Sequence, residues 1–167
     1  KTEAGAVVLN LKDENSLNRA AAKMKSDVTA YDARAVSELF LVEAMSPNPL
    51  VELIINIRQD PQFGAALVLG SGGVLVELLA DSATLLLPTR PVEIIRALKG
   101  LRVGRLLEGF RGRPAVDIGK VAAEIYKLSV TYQDNIKTIA EIEINPLFVY
   151  QAEVSAIDVL IQVPNRK

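Results

Sequence analysis

Apolar and polar positions along the chain switch between two periods, and the switches divide it into alternating strands and helices. Residues 5–11 form an apolar run that predicts a mostly buried strand. Leu17, Ala20, Ala21, Met24 and Val28 then recur at helical spacing, and Asp13 and Glu14 at the start suit the positive end of a helix. Residues 36–45 and 50–58 are β-rich and flank Ser46-Pro47-Asn48-Pro49, which predicts a hairpin. A third strand over 64–69 opens into Gly70-Ser71-Gly72-Gly73, and 74–79 reads as a short continuing strand. Pro88 and Pro91 punctuate the approach to a helix near 92–98, followed by Gly- and Arg-rich loops around a short helix over 100–114. Asp117 is the expected N-cap of a long helix whose apolar stripe is Ile118, Val121, Ala122, Ile125, Leu128 and Tyr132. Two strands, 139–150 and 154–163, end the chain. This order predicts an α+β fold, a mainly antiparallel sheet flanked by helices, without internal repeats or linkers.

The last two strands carry the most specific geometry. A two-residue turn at Gln151-Ala152 sets Asn145 opposite Asp158, Ile144 opposite Val159 and Ile142 opposite Ile161. Apolar side chains then meet on one face, while Glu141, Glu143, Asn145 and Asp158 share the other. Pro146 removes one ladder donor and predicts a bulge in this register. Carboxylates beside an amide oxygen suit Mg²⁺, a hard cation that takes oxygen ligands and keeps substrate phosphates as partners. A solvated sheet face presents the same residue types, so spacing alone leaves both readings open.

Composition narrows the chemistry. The chain has 167 residues, 50% hydrophobic and 23% charged, with net charge −1, enough for one domain with a real core. It lacks the basic footprint of a nucleic-acid binder. With no Cys and no His, disulfides, thiolate nucleophiles, imidazole bases and phosphohistidine within these residues are excluded. The absence of Cys fits a cytoplasmic setting, and charges interrupt every apolar run before the roughly 18 residues of a membrane span. Lys1-Thr2-Glu3 offers neither an initiator Met nor the apolar core of a signal peptide, and reads as an excerpt of a longer chain.

Several motifs, in one order, carry a resemblance. Glu141-Ile142-Glu143-Ile144-Asn145-Pro146-Leu147, with Asp158 beyond it, resembles the metal-binding end of ATP-grasp CoA ligases. Leu41-Val42-Glu43-Ala44-Met45 resembles their adenine-edge hinge, and Glu52 a carboxylate that faces the nucleotide sugar. Arg58-Gln59-Asp60-Pro61-Gln62-Phe63-Gly64 resembles an R-x-D-P-x-F-G turn, and Gly70-Ser71-Gly72-Gly73-Val74-Leu75-Val76-Glu77 a G-x-G-G-x-x-V-E loop. Gly109-Phe110-Arg111-Gly112-Arg113-Pro114 resembles an element of the ADP-forming acetyl-CoA synthetase branch. The first seven residues resemble the segment just after the phosphorylatable His of that branch. The chain as a whole resembles the carboxy-terminal ATP-grasp subdomain of the NDP-forming acyl-CoA synthetase family, which includes succinyl-CoA synthetase β-like chains.

The resemblance implies that residues 1–167 are a single partial ATP-grasp domain, a fragment of a larger acid–thiol ligase. That enzyme converts acid, CoA and ATP to acyl-CoA, ADP and phosphate through an acyl phosphate and a phosphohistidine. Asn145, Asp158 and Glu143 would hold Mg²⁺. Glu43, Ala44, Met45 and Glu52 would contact ATP or ADP. Arg58, Gly72, Gly73 and Glu77 would form the phosphoryl-transfer site. Implied partners are the nucleotide and the CoA-binding and succinyl-CoA synthetase-like domains of the same enzyme, in a homo- or hetero-oligomer, with no nucleic acid and no membrane. Simpler readings stand beside these: Gly72 and Gly73 as an ordinary turn, Arg58 as an ion-pair partner of Asp60, and Arg111 and Arg113 as local contacts. One departure matters. The family's Asp is kept at Asp81, but Ala80 and Leu85 occupy positions where the family usually has Lys and Arg. Lost cations weaken charge stabilisation in phosphoryl transfer. A non-catalytic nucleotide-binding or regulatory module is therefore the alternative.

Overall fold

The computed structural model describes residues 3–35, 39–72 and 81–164. The chain forms two compact units, Lys1–Asn48 and Pro49–Lys167.

The first unit is built around helix α1, Glu14–Tyr31. Asp13 starts it with a reciprocal cap: its carboxylate accepts from the Ser16 N–H at 2.7 Å, and the Ser16 hydroxyl accepts from the Asp13 N–H at 3.2 Å. The predicted apolar stripe is on this helix, yet none of its residues is buried. The strand expected over 5–11 is not formed. A strand needs a hydrogen-bonding neighbour, and the described residues of this unit contain no strand to supply one.

The second unit is a six-stranded antiparallel sheet with helices on one face. Its strands are β1 Val51–Asp60, β2 Gly64–Ser71, β3 Ser82–Leu86, β4 Glu141–Val149, β5 Val154–Ala156 and β6 Val159–Gln162. They run in the order β3-β2-β1-β4-β5, with β6 also paired to β4. The predicted hairpin of 36–45 with 50–58 is absent: residues 39–49 carry no strand, and β2 and β4 occupy both edges of β1. Residues 36–38 and the short strand expected over 74–79 lie outside the described residues.

Alternation along β1 explains how the core forms. Val51, Leu53, Ile55 and Ile57 are buried, and they join Leu67 and Leu69 of β2 and Ile142, Ile144 and Leu147 of β4. Helices α2 (Pro91–Gly100), α3 (Gly104–Leu107) and α4 (Ile118–Asp134) add Ile94, Leu98, Leu107, Val121, Ala122 and Ile125 to the same cluster. Pro91 sits in the first turn of α2, where its missing N–H costs no helical bond. Asp117 caps α4 as expected, accepting from the Lys120 N–H at 3.1 Å. The far end of α4 is tied to the sheet by Tyr132, whose buried hydroxyl donates to the Ala140 carbonyl at 3.0 Å. No helix among the described residues is long and apolar enough to cross a membrane.

Candidate functional site

Positions that alternate with the core residues form the opposite, polar face of the sheet. On β1 these are Glu52, Ile54, Asn56 and Arg58; on β4 they begin with Glu141, Glu143 and Asn145. The expected register of the final strands is present on both sides of a break. Val149 pairs with Val154 and Leu147 with Ala156, then Ile144 with Val159 and Ile142 with Ile161. Between these runs the Asn145 N–H donates to the Asp158 carbonyl at 3.0 Å, and the Ile157 N–H to the Pro146 carbonyl at 3.1 Å. Asn145 and Asp158 therefore stand opposite one another, and both are exposed.

Pro146 imposes its irregularity on the β1 side. Leu53 pairs with Leu147 and Ile55 with Ile144, so Asn145 and Pro146 together oppose the single residue Ile54. This bulge changes which parity of β4 points inward: Ile142 and Ile144 before it, Leu147 and Val149 after it. Asn145 consequently stays on the polar side with Glu141 and Glu143. Glu143 lies opposite Leu160 on one neighbour and Asn56 on the other. Sequence reasoning missed Asn56, which bridges the two strands by donating from Nδ2 to Glu141 Oε1 at 2.6 Å. Only the pairing of β1 with β4 reveals it.

The donor set fits Mg²⁺ in kind. Asn145, Asp158 and Glu143 offer hard oxygen ligands, while no group of three or more carboxylates capable of holding a metal exists among the described residues. Mg²⁺ ordinarily takes only one or two carboxylates and leaves its other positions to water and phosphate.

Arg58 is exposed, opposite Glu141 on β4 and Ala66 on β2. It makes no ion pair with Asp60, whose carboxylate instead accepts from the Gln62 and Phe63 N–H groups at 2.8 and 2.9 Å. Those two bonds hold the Asp60 carboxyl below its usual range, with the charge of Arg58 a lesser influence. Arg111 makes a local contact, lying over the Phe110 ring 5.3 Å from its centre, whereas Arg113 reaches across the fold and donates to the Leu50 carbonyl at 3.4 Å.

The glycine loop meets the sheet at Glu52. The Gly72 N–H donates to the Glu52 carbonyl at 2.7 Å, and a Cβ on Gly72 would lie 2.8 Å from the Glu52 carbonyl carbon. Glycine is required there for close backbone approach. At the other end, Asp81 is heavily engaged, in a way its place in the motif does not announce. Its backbone carbonyl accepts from the Ser71 N–H at 3.0 Å, and its carboxylate accepts from the buried Ser71 hydroxyl. The same carboxylate accepts from the Arg102 and Val103 N–H groups at 2.9 and 3.2 Å. Desolvation works against its charge, but these hydrogen bonds and the Arg102 charge together hold its pKa below the ordinary value.

Gly73 and Glu77, with Ala80, lie outside the described residues. Glu43, Ala44 and Met45 lie in the first unit, in an exposed stretch without regular structure. Leu85, on β3, packs against the core.

The family model for the ATP-grasp domain matches residues 1–163. The ADP-forming acetate–CoA ligase of Methanocaldococcus jannaschii is 36% identical over 158 residues, covering 90% of this chain and 21% of that protein. The β subunit of ADP-forming acetate–CoA ligase II from Pyrococcus furiosus is 30% identical over 152 residues, covering 90% of this chain and 64% of the subunit. The chain thus spans 23% and 21% of the first two curated relatives it matches. Among solved structures, it is similar to the dinucleotide forming acetyl-coenzyme A synthetase 1 of Ca. Korarchaeum cryptofilum in complex with coenzyme A, Ca-AMPCP and HgCl+. That match has a TM-score of 0.88 and 31% identity, and covers 98% of this chain and 70% of the other. A second structure of the same enzyme, with coenzyme A and Mg-AMPPCP, matches with a TM-score of 0.80 and 29% identity, at 98% and 70% coverage.

Proposed function

Because this chain belongs to the ATP-grasp domain family, we propose that it is the nucleotide- and Mg²⁺-binding part of a larger, cytoplasmic, NDP-forming acyl-CoA synthetase. In this reading both units belong to one ATP-grasp domain, which works with CoA-binding and succinyl-CoA synthetase-like domains in a homo- or hetero-oligomer. The parent enzyme joins an acid to CoA with ATP, by way of an acyl phosphate and a phosphohistidine supplied from outside these residues.

The observation that carries the reading is the pairing of Asn145 with Asp158 beside Glu143 on the polar face of the sheet. These three residues would hold Mg²⁺, which when bound neutralises phosphate charge and orients the nucleotide. The chain's own part is positioning and electrostatics, the kind of work phosphoryl transfer requires. Glu52 would face the nucleoside. Arg58, exposed and without an ion-pair partner among the described residues, would offer its planar fork to the transferring phosphate. Gly73 would present a backbone N–H to phosphate oxygens, Gly72 would hold the loop in place through its bond to Glu52, and Glu77 would complete the site.

The test uses the full-length parent protein with ATP and Mg²⁺. Acid- and CoA-dependent formation of acyl-CoA and ADP, with a phosphorylated His, is the expected result. Leu85 packs into the core instead of offering a cation, which favours one second reading, a nucleotide sensor. Nucleotide binding without phosphohistidine would support that reading, and absence of nucleotide binding would overturn both.

A further inference from the structure

Resting on the nucleotide-binding reading above, we infer that Asp81 is a positioning residue for the nucleotide site, acting through Ser71 and Gly72. The two described ends of the glycine loop are fixed differently. Gly72 is held to the central strand β1 by its bond to the Glu52 carbonyl. The exit is held by Asp81, which makes two contacts to Ser71, one through its backbone and one through its carboxylate.

The Asp81 carboxylate also joins the sheet to the helical layer. Its Oδ1 accepts from Arg102 and its Oδ2 from both Val103 and the Ser71 hydroxyl. Arg102 and Val103 form the turn that leads into α3, whose first residue is itself pinned. A Cβ on Gly104 would lie 2.7 Å from the Leu98 carbonyl oxygen and 2.8 Å from that of Lys99. The turn therefore packs closely against the end of α2, and it is this packed turn that the Asp81 carboxylate grips.

Ser71 is thereby tied to the helical layer, and its neighbour Gly72 is held at Glu52, next to the polar face. The Asp81 carboxylate thus acts on the loop as well as on the turn. The two residues it steadies, Ser71 and Gly72, belong to the loop proposed to receive phosphate. Pre-organising such a loop removes an ordering cost from ligand binding, and the gain appears as affinity.

The experiment is calorimetry of the full-length protein with Mg·ADP, and separately with coenzyme A, on wild type, Asp81→Asn and Ser71→Ala. Melting temperatures are recorded on the same preparations. Asp81→Asn, isosteric but able to accept at only one position, is expected to weaken Mg·ADP binding about ten-fold, with coenzyme A affinity unchanged. Ser71→Ala removes the hydroxyl alone and is expected to weaken it about three-fold, which keeps the test decisive if the Asp81 variant fails to fold. A merely structural role lowers the melting temperature and the number of competent sites while leaving the dissociation constant of the folded fraction unchanged. That outcome overturns the inference and spares the proposed function. Wild-type protein that fails to bind Mg·ADP overturns both.

Discussion

Gly72 and Glu52 meet backbone to backbone, the N–H of one 2.7 Å from the carbonyl oxygen of the other, and no side chain fits between them. An added Cβ would lie 2.8 Å from the Glu52 carbonyl carbon and 3.0 Å from its oxygen. Both are backbone atoms of the sheet's central strand, so neither yields easily. Gly72→Ala is expected to destabilise the protein by about 1–3 kcal/mol, by the usual cost of overpacking. Denaturant unfolding checks this, and unchanged stability would contradict the contact.

Asn145 is exposed, and its side chain lies outside the core. Asn145→Ala is therefore expected to alter stability by no more than about 0.5 kcal/mol. Mg·ADP affinity of the full-length protein is expected to fall about ten-fold or more, and likewise for Asp158→Ala. Titration calorimetry measures both. Wild-type affinity in the two variants would remove the metal assignment.

Asp81 gives the fold a pH dependence of known sign. Its folded-state pKa is lowered, so the native chain binds fewer protons than the unfolded one as pH falls. The stability it contributes is present above the ordinary carboxylate range, near pH 4, and is lost as pH falls through the folded value. The stability difference between wild type and Asp81→Asn is expected to be largest near neutrality and to shrink below about pH 4. Unfolding curves across that range decide it, and a difference that grows with acid would refute the sign.

Tyr132 is fully buried, with its hydroxyl on the Ala140 carbonyl. Removing that hydroxyl in Tyr132→Phe leaves the carbonyl one bond short and is expected to cost about 1 kcal/mol. Burial, followed by the charge of Glu141, raises the phenol's pKa, so it is expected to ionise at higher pH than an exposed tyrosine. Spectrophotometric titration of wild type against Tyr132→Phe resolves this step.

Local rules made much of this legible. A two-residue turn fixes its flanking register, so the pairing of Ile142, Ile144 and Asn145 with the last strand comes from counting, and the β4–β6 ladder agrees. The Asp117 cap and Pro91 at the start of α2 are likewise written into neighbouring residues. The concealed part was tertiary. The stretches 5–11 and 39–45 have strand composition yet carry no strand, because composition cannot supply a neighbouring strand. Nothing in the spacing of Ser71, Asp81 and Arg102 says that one carboxylate gathers them, and Asn56 meets Glu141 only because β1 and β4 are adjacent. The site residues on the polar face could be named from motifs, while the contacts supporting them could not.

The bulge at Asn145-Pro146 also couples the lengths of three strands. Against β1, β4 carries one residue too many at this point, whereas against β5 and β6 it keeps a single count from Ile142 to Val149. Losing one residue at the junction would let β4 match β1 without interruption and keep its four apolar side chains facing inward. The same loss would leave the Ile157-Asp158 link a residue too long, parting Asp158 from its counterpart on β4. A shortened β4 therefore keeps both ladders only if the returning segment is shortened with it.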